Sequence, residues 1–594
     1  MTSCTSVELG STGKRSEDGK VHVRSPNSEP NRAQSRMSHG LFSFSARRSA
    51  LAFWLGSAIV SAGVVLHLPM FWMARNTGFI LAGMPMDDGM LWGMALIVVG
   101  IAAVGYGLLP NSAPDASVDE SFAPLEDTPL SAAHWKLMGV LTVALIIDVM
   151  KPASLGFVTP GMRVEYALTS ATVALLPFSA LAGTAFGSFV WGAMADFYGR
   201  RASILLSSVM FVGTSICGAM PSFWWNVAMC FLMGAAAGGM LPIAYALLAE
   251  IMPTKQRGWS LVLVGGIGTI GGYFAASELS ALLQPFFGWR IMWFLNLPTG
   301  LILVMLSPLI PESARFLQHM GRSNEARATL ARFGAIIRSK PEASDARAAA
   351  NHDHVVLAKT HGLLGTSVAL TLAALAWGFV NFGVLLWLPS SLVAEGRSVG
   401  LASAVIARSA MIAAPTILVA AYLYSVWSTK SLLLTAIGLT TLGLVSVLLR
   451  GIGTYPILSN PIVPLSLLIV GSSAMISILL PYAAENYPVR VRGRATGWVA
   501  GWSKIGGLIA QGLSVLAVVP VLGTAAAAVA VTAAGSLLLI AIFGRETRGR
   551  DLRELEGKQS AQAHRWQTAG LRNPTSCESL PPFVPNTLRN TADP

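Results

Sequence analysis

The chain has 594 residues, of which 53% are hydrophobic and only 12% are charged, with a formal net charge of +12. A soluble domain carries roughly 25% charged residues, so the composition excludes a water-soluble enzyme or binding module and indicates a polytopic membrane protein. The positive residues sit in loops and tails, where membrane topology accounts for them, and no nucleic-acid partner is inferred.

Residues 1–48 are polar and basic, with Lys14, Arg15, Lys20, Arg24, Arg32 and Arg36 among few apolar residues. They read as a disordered cytoplasmic tail, within which Met37 would also serve as a start. Arg47 and Arg48 precede an apolar run and read as a positive-inside anchor, not a twin-arginine signal. Runs 49–68 and 90–109 are each long enough to span, since a span needs roughly 20 residues. Residues 49–109 are therefore expected to form an extra two-helix hairpin, with no task legible for it. Residues 110–133 form an acidic linker with Asp115, Asp119, Glu120, Glu126 and Asp127. Of the four cysteines, Cys217 and Cys230 lie in apolar stretches and Cys4 and Cys577 in polar tails, so no disulfide framework is expected.

Six apolar runs follow, at 135–158, 171–195, 202–220, 224–252, 259–284 and 290–310. A polar loop, 311–362, separates them from six more at 363–390, 399–424, 431–450, 461–483, 495–520 and 523–543. This gives halves at 134–310 and 363–543, about 14 spans in all, and a polar tail at 544–594. Basic residues such as Arg200, Lys255, Arg315, Lys430, Arg490 and Arg545 fall on one side, which places both termini in the cytoplasm. Between the second and third core runs stands Gly192-Ala-Met-Ala-Asp196-Phe-Tyr-Gly199-Arg200-Arg201. Only a tight turn fits there; the glycines allow close approach and a left-handed residue, and Asp196 can accept hydrogen bonds. The halves also repeat. Ala249-Glu250-Ile-Met-Pro253-Thr-Lys-Gln-Arg257-Gly258 matches Ala484-Glu485-Asn-Tyr-Pro488-Val-Arg-Val-Arg492-Gly493, and the register continues through Gly266/Gly501 and Gly271/Gly506. The loop at 192–201 does not repeat; only Lys430 remains of its basic pair.

The spacing G-x-x-x-D-x-x-G-R-R resembles the signature loop between the second and third core helices of the major facilitator superfamily. Pro311-Glu312-Ser313-Ala314-Arg315-Phe316-Leu317 and Gly544-Arg545-Glu546-Thr547-Arg548 resemble the motifs closing each half in its sugar-porter, organic-ion and aromatic-acid proton symporter branches. The resemblance implies an all-α fold of two six-helix halves with the binding site at the midplane between them; the hairpin lies outside it. It also implies a gate built from Gly192, Asp196, Gly199, Arg200, Arg201, Glu250, Arg257, Glu312, Arg315, Glu485 and Arg492, whose acids pair with loop arginines when the cytoplasmic side closes. The run Ala376-Trp377-Gly378-Phe379-Val380-Asn381-Phe382-Gly383 lacks the sugar-specific pattern.

Charges inside a membrane are expensive and therefore functional candidates. Asp148 and Lys151 are spaced i,i+3 just before Pro152. Arg408 and Lys504 each lie nine residues into their runs, roughly 14 Å deep in a core of roughly 30 Å. One acid and three bases favour an anionic ligand. Arg408 is the expected carboxylate clamp, Lys504 adds charge, Asp148 is the proton-coupling candidate, and Asn381 and Tyr245 complete the set. Glu278 is expected to pair with Arg290 or meet water. The reading is a proton-coupled symporter of an organic anion such as an aromatic acid, monomeric in the inner membrane. A sugar, polyol or organic-cation facilitator or exporter, and a non-transporting nutrient sensor, are the alternatives. Gly396-Arg397-Ser398-Val399-Gly400 fits G-x-S-x-G by chance in a loop, and neither H-E-x-x-H nor a phosphate loop occurs. No enzyme activity, cofactor or metal is expected.

Overall fold

The computed structural model describes residues 44–109, 121–123, 129–334, 336–338, 364–452, 455–487, 489–517 and 522–547. The expectations for residues 1–43, most of the acidic linker, the later part of the central loop and the tail beyond 547 fall outside them. A bilayer offers no water to main-chain amides, so apolar runs of this length must satisfy them internally as helices. Among the described residues, thirteen helices are long and apolar enough to cross a membrane. The fourteenth expected span is a helix as well, Val489–Val515, whose first turns carry arginines.

The hairpin is α1 (Phe44–Val65) and α2 (Asp88–Leu108). Asp87 caps α2 by accepting from the Met90 N–H at 2.8 Å. Its seam is a ladder of small residues seven apart. A Cβ on Gly56 would lie 2.7 Å from the Gly100 carbonyl, one on Gly63 2.6 Å from the Gly93 carbonyl, and one on Gly107 2.7 Å from the Ser49 carbonyl. Close backbone approach of this kind is how helices associate where lipid removes the hydrophobic drive.

The first half comprises α3 (Ala132–Glu165), α4 (Leu175–Tyr198), α5 (Arg200–Gly213), α6 (Phe223–Ala237), α7 (Met240–Ile251), α8 (Thr254–Phe287) and α9 (Asn296–Met305). The second comprises α10 (Leu364–Phe379), α11 (Leu385–Ala394), α12 (Val399–Val426), α13 (Thr429–Ile452), α14 (Ile462–Asn486), α15 (Val489–Val515) and α16 (Leu522–Phe543). Between α10 and α11 the backbone makes a π turn at Val380–Val384. The fold is all-α as expected; among the described residues a short antiparallel ribbon of β1 (Ser121–Ala123) and β2 (Ile336–Arg338) is the one paired stretch outside the helices. It joins the linker to the central loop, where no apolar run demands a helix.

The halves touch along α8 and α12. A Cβ on Gly258 would meet Tyr424 at 2.6 Å, one on Gly266 would meet Ile417 at 2.5 Å, and the Ser280 and Ser403 hydroxyls are hydrogen-bonded at 2.8 Å. We call the end carrying Arg200, Arg315 and Arg545 the basic end, and the other the far end.

A buried charge cluster at the far end fixes the hairpin to the first half. Glu165, at the end of α3, pairs with Arg290 at 2.6 Å, and both are nearly inaccessible. Glu165 also accepts from the N–H groups of Leu81 and Ala82 in the hairpin loop, at 2.8 and 3.0 Å, and from Trp289 Nε1 at 2.8 Å. Arg290 donates further to the Met220 and Gly218 carbonyls. The expected Glu278–Arg290 pair is thereby corrected: Glu278 is half-buried within α8, while Glu165 reaches the guanidinium from the neighbouring helix end.

Glu395 and Arg450 form a second far-end pair at 2.7 Å, Glu395 being 41% exposed. The Arg450 guanidinium holds the Glu395 carboxyl below its usual range, against a smaller opposing effect of burial. A depressed carboxylate stabilises above its unfolded-chain pKa and loses that contribution as pH falls through the folded value. Exposed pairs contribute under about 1 kcal/mol. Glu395→Gln is expected to lower the melting temperature only marginally at neutral pH and not at all in acid, as thermal unfolding at both pH values will read.

Candidate functional site

At the basic end, the motif loops form one cluster in each half. Gly199 has φ +93°, and a Cβ there would lie 2.5 Å from Glu312 Oε2, so this turn needs glycine on both counts. Glu312 Oε1 accepts from the N–H groups of Arg200 (2.7 Å), Arg201 (3.2 Å) and Ser313 (2.9 Å), capping the start of α5 with a carboxylate. Burial pushes the Glu312 carboxyl above its usual range, opposed by these main-chain donors. Arg200 pairs with Glu250, whose carboxylate also accepts from Ser313 Oγ at 2.7 Å.

The second half repeats this geometry although the loop at 192–201 does not recur there in sequence. Glu546 Oε1 accepts from Thr429 N at 3.0 Å and Thr429 Oγ1 at 2.7 Å, capping α13, while Ser428 Oγ donates to its other oxygen. Thr547 Oγ1 donates to Glu485 Oε2 at 2.6 Å, as Ser313 does to Glu250. Lys430 turns instead to the Ala541 carbonyl, 2.8 Å away. Glu546 stands in the motif closing the second half but outside the expected gate residues; its match to Glu312 one half earlier was the available signal. Of the other gate residues, Asp196 and Arg315 are exposed. Arg257 and Glu485 both have interaction partners, and the Arg492 side chain is outside the described residues. A Cβ on Gly192 would meet nothing within 4 Å, so the close approach expected there is absent.

Between the halves lies a cavity of about 600 Å³. Its inner wall includes Asp148, Tyr245, Tyr273, Trp377, Asn381, Phe382 and Lys504, and its mouth Gly192, Asp196, Arg200 and Gly497. The cavity therefore opens at the basic end. The far end is closed. A Cβ on Gly156 would lie 2.8 Å from the Leu386 carbonyl, and Gln284 Nε2 bonds the Phe157 carbonyl at 3.2 Å. Phe157 belongs to this seal.

The structure brings four of the six predicted central residues to the cavity: Asp148, Tyr245, Asn381 and Lys504. Lys504 Nζ lies 4.9 Å from the centroid of the Phe382 ring, within cation–π range. Asp148 is buried, and its Oδ1 has no hydrogen-bond partner among the described residues. Trp377 is fixed by its Nε1 donating to the Ser472 carbonyl at 3.0 Å. Two expectations are corrected. Arg408 is exposed on the outer face of α12, in one stripe with Leu401, Met411 and Ile412, and cannot clamp a ligand in this cavity. Lys151 is 1% exposed and points behind the wall, its ammonium over the Phe211 ring; one turn from Asp148, it faces the inside of the first half. Ser398, the serine of the G-x-S-x-G match, caps α12 by accepting from Leu401 N at 3.3 Å.

Two six-helix halves enclosing a polar-centred cavity that opens at one end define a membrane transporter of the alternating-access class. Residues 137–511 match the family profile described as Major Facilitator Superfamily, and the chain belongs to that family. It is similar to the niacin transporter NiaP of Acinetobacter baylyi, 25% identical over 395 residues, covering 65% of this chain and 88% of that one. It is also similar to the benzoate transport protein of the same organism, 30% identical over 202 residues, covering 32% of this chain and 42% of that one. Among solved structures, an inward-open conformation of the xylose transporter XylE from E. coli shares the fold. The TM-score is 0.54 at 18% identity, covering 71% of this chain and 99% of that one.

Proposed function

We propose that this transporter carries an aromatic monocarboxylate into the cell together with protons. The observation that carries the reading is Lys504, an ammonium on the wall of an otherwise largely apolar cavity and against the Phe382 ring. A carboxylate placed there gains a charge-assisted hydrogen bond, and its ring gains aromatic contacts from Phe382, Trp377 and Tyr245. The niacin and benzoate transporters among the relatives support the same class. Asp148, on the opposite half, is the proton carrier: its free oxygen can take a proton, and in the low-dielectric cavity its charge is linked to that of Lys504 and the ligand. The basic end is cytoplasmic by the positive-inside rule, so the cavity described above is the inward-open state.

Uptake of labelled benzoate and niacin into proteoliposomes, with and without an inward proton gradient, tests this. The expected result is accumulation above equilibrium only with the gradient. Neutral-sugar transport, or acid transport indifferent to the gradient, would sink the respective half of the proposal.

A further inference from the structure

Asn381 stands in the π turn of Val380–Val384, a rare backbone form that is frequent at functional sites. The turn is held from two sides. Gln511 of α15 donates to the Phe382 carbonyl at 2.5 Å, and Tyr273 of α8 donates to the Asn381 carbonyl at 3.0 Å. The phenol has a single proton, and Asn381 Oδ1 shares it at 2.9 Å. Tyr273 and Asn381 are both buried, at 5% and 6% exposed, and both line the cavity. With Oδ1 engaged, the amide nitrogen is the edge left for a ligand, and no described residue accepts from it. The next residue, Phe382, carries the ring against which the Lys504 ammonium rests. Ammonium and amide therefore address the same stretch of cavity.

We propose that Asn381 determines specificity: its amide N–H donates to an acceptor on the substrate ring while Lys504 takes the carboxylate. The preferred substrate is then a planar aromatic monocarboxylate with a ring nitrogen or ring carbonyl, in preference to a purely carbocyclic acid. This rests on the aromatic-acid reading above. A carbocyclic acid would strip water from the amide without replacing its bond, and a buried donor left unmatched is costly. Tyr273 is a positioning residue; it touches the substrate's reading group only by fixing which edge of the Asn381 amide faces the cavity.

Equilibrium binding to the full-length protein in lipid nanodiscs, with niacin, benzoate and meta-hydroxybenzoate as probes, tests this. Wild type should bind niacin about tenfold or more tighter than benzoate. Asn381→Leu should bring that ratio close to one by weakening niacin and relieving the penalty on benzoate, and Asn381→Gln should restore part of it. Tyr273→Phe should narrow the ratio by weakening niacin more than benzoate, a split that general loss of packing would not give. An unchanged ratio in Asn381→Leu, with binding still dependent on Lys504, overturns this inference and leaves the aromatic-acid reading standing. Selective loss of meta-hydroxybenzoate also overturns it, because the oxygen edge would then face the ligand. If no acid binds wild type, the aromatic-acid reading itself fails.

Discussion

Lys504→Met is expected to weaken carboxylate binding by about 100-fold, and Asp148→Asn is expected to strengthen it. The methionine keeps the length and apolar stem of Lys504 but removes the ammonium from the cavity wall. A hydrogen bond to a charged group contributes about 1.5–3 kcal/mol, and each 1.4 kcal/mol is tenfold in affinity, which sets that scale. Lys504→Arg should keep a large part of the affinity, because the charge stays against Phe382. Asp148 carries the same sign as the ligand. Neutralising it removes a repulsion, so affinity should rise several-fold while uphill uptake disappears and exchange of internal for external acid continues. Opposite signs at the two positions are the diagnostic. A static Asp148–Lys504 pair would instead show both single variants damaged and the double variant rescued; for a ligand site, the double variant stays unable to bind acids. Binding and counterflow on the four proteins decide between them.

The plan of the fold was legible because lipid leaves the backbone few options: each apolar run near 20 residues had to be a helix. The glycine, acid and arginine spacing at 192–201 and 249–258 then gave the family. What could not be read was which face of each helix turns inward. Arg408 and Lys504 were equal by depth alone. Their neighbours on the helix surface differ: Arg408 sits among Leu401, Met411 and Ile412, whereas Lys504 shares its surface with Gly497, Ala500 and Gly501, which line the cavity. Large apolar neighbours one turn away mark a lipid face, and small ones mark a face that other helices or a ligand approach. Lys151 failed for a related reason. Three residues from Asp148 is a rotation of about 60° from the same direction, enough to carry it past the cavity edge into the packing with Phe211. The seven-residue ladder of Gly56, Gly63, Gly93, Gly100 and Gly107 was in plain sight and would have given the hairpin's seam. Helix α13 shows the converse. Its start lost the arginine pair but kept the acid that caps it, because Glu546 needs only the Thr429 N–H and the hydroxyls of Ser428 and Thr429.

The second large effect is structural, at Glu165. Glu165→Gln should destabilise the protein by about 3–5 kcal/mol, because it leaves a fully buried guanidinium without its counter-charge. Arg290 still holds the Met220 and Gly218 carbonyls at 2.8 and 3.2 Å, so it cannot turn to water without breaking the far end of the first half. The hairpin suffers separately. The Leu81 and Ala82 amides both end on Glu165 Oε1, and an amide side chain presenting its oxygen to Arg290 offers them a weaker acceptor. Arg290→Met should cost less, since Glu165 retains three N–H donors, from Leu81, Ala82 and Trp289. The double variant should recover part of the loss of Glu165→Gln, because it removes the stranded charge. Thermal unfolding in detergent reads the stability order: wild type, then Arg290→Met, then Glu165→Gln. Limited proteolysis of the loop at 78–87 reads whether the hairpin has come loose. Equal melting temperatures for wild type and Glu165→Gln would mean that the hairpin loop is not fastened through this carboxylate. In that case the ring contacts of Phe71, stacked on Phe79 at 4.7 Å and tilted against Phe294 at 4.9 Å, hold it instead.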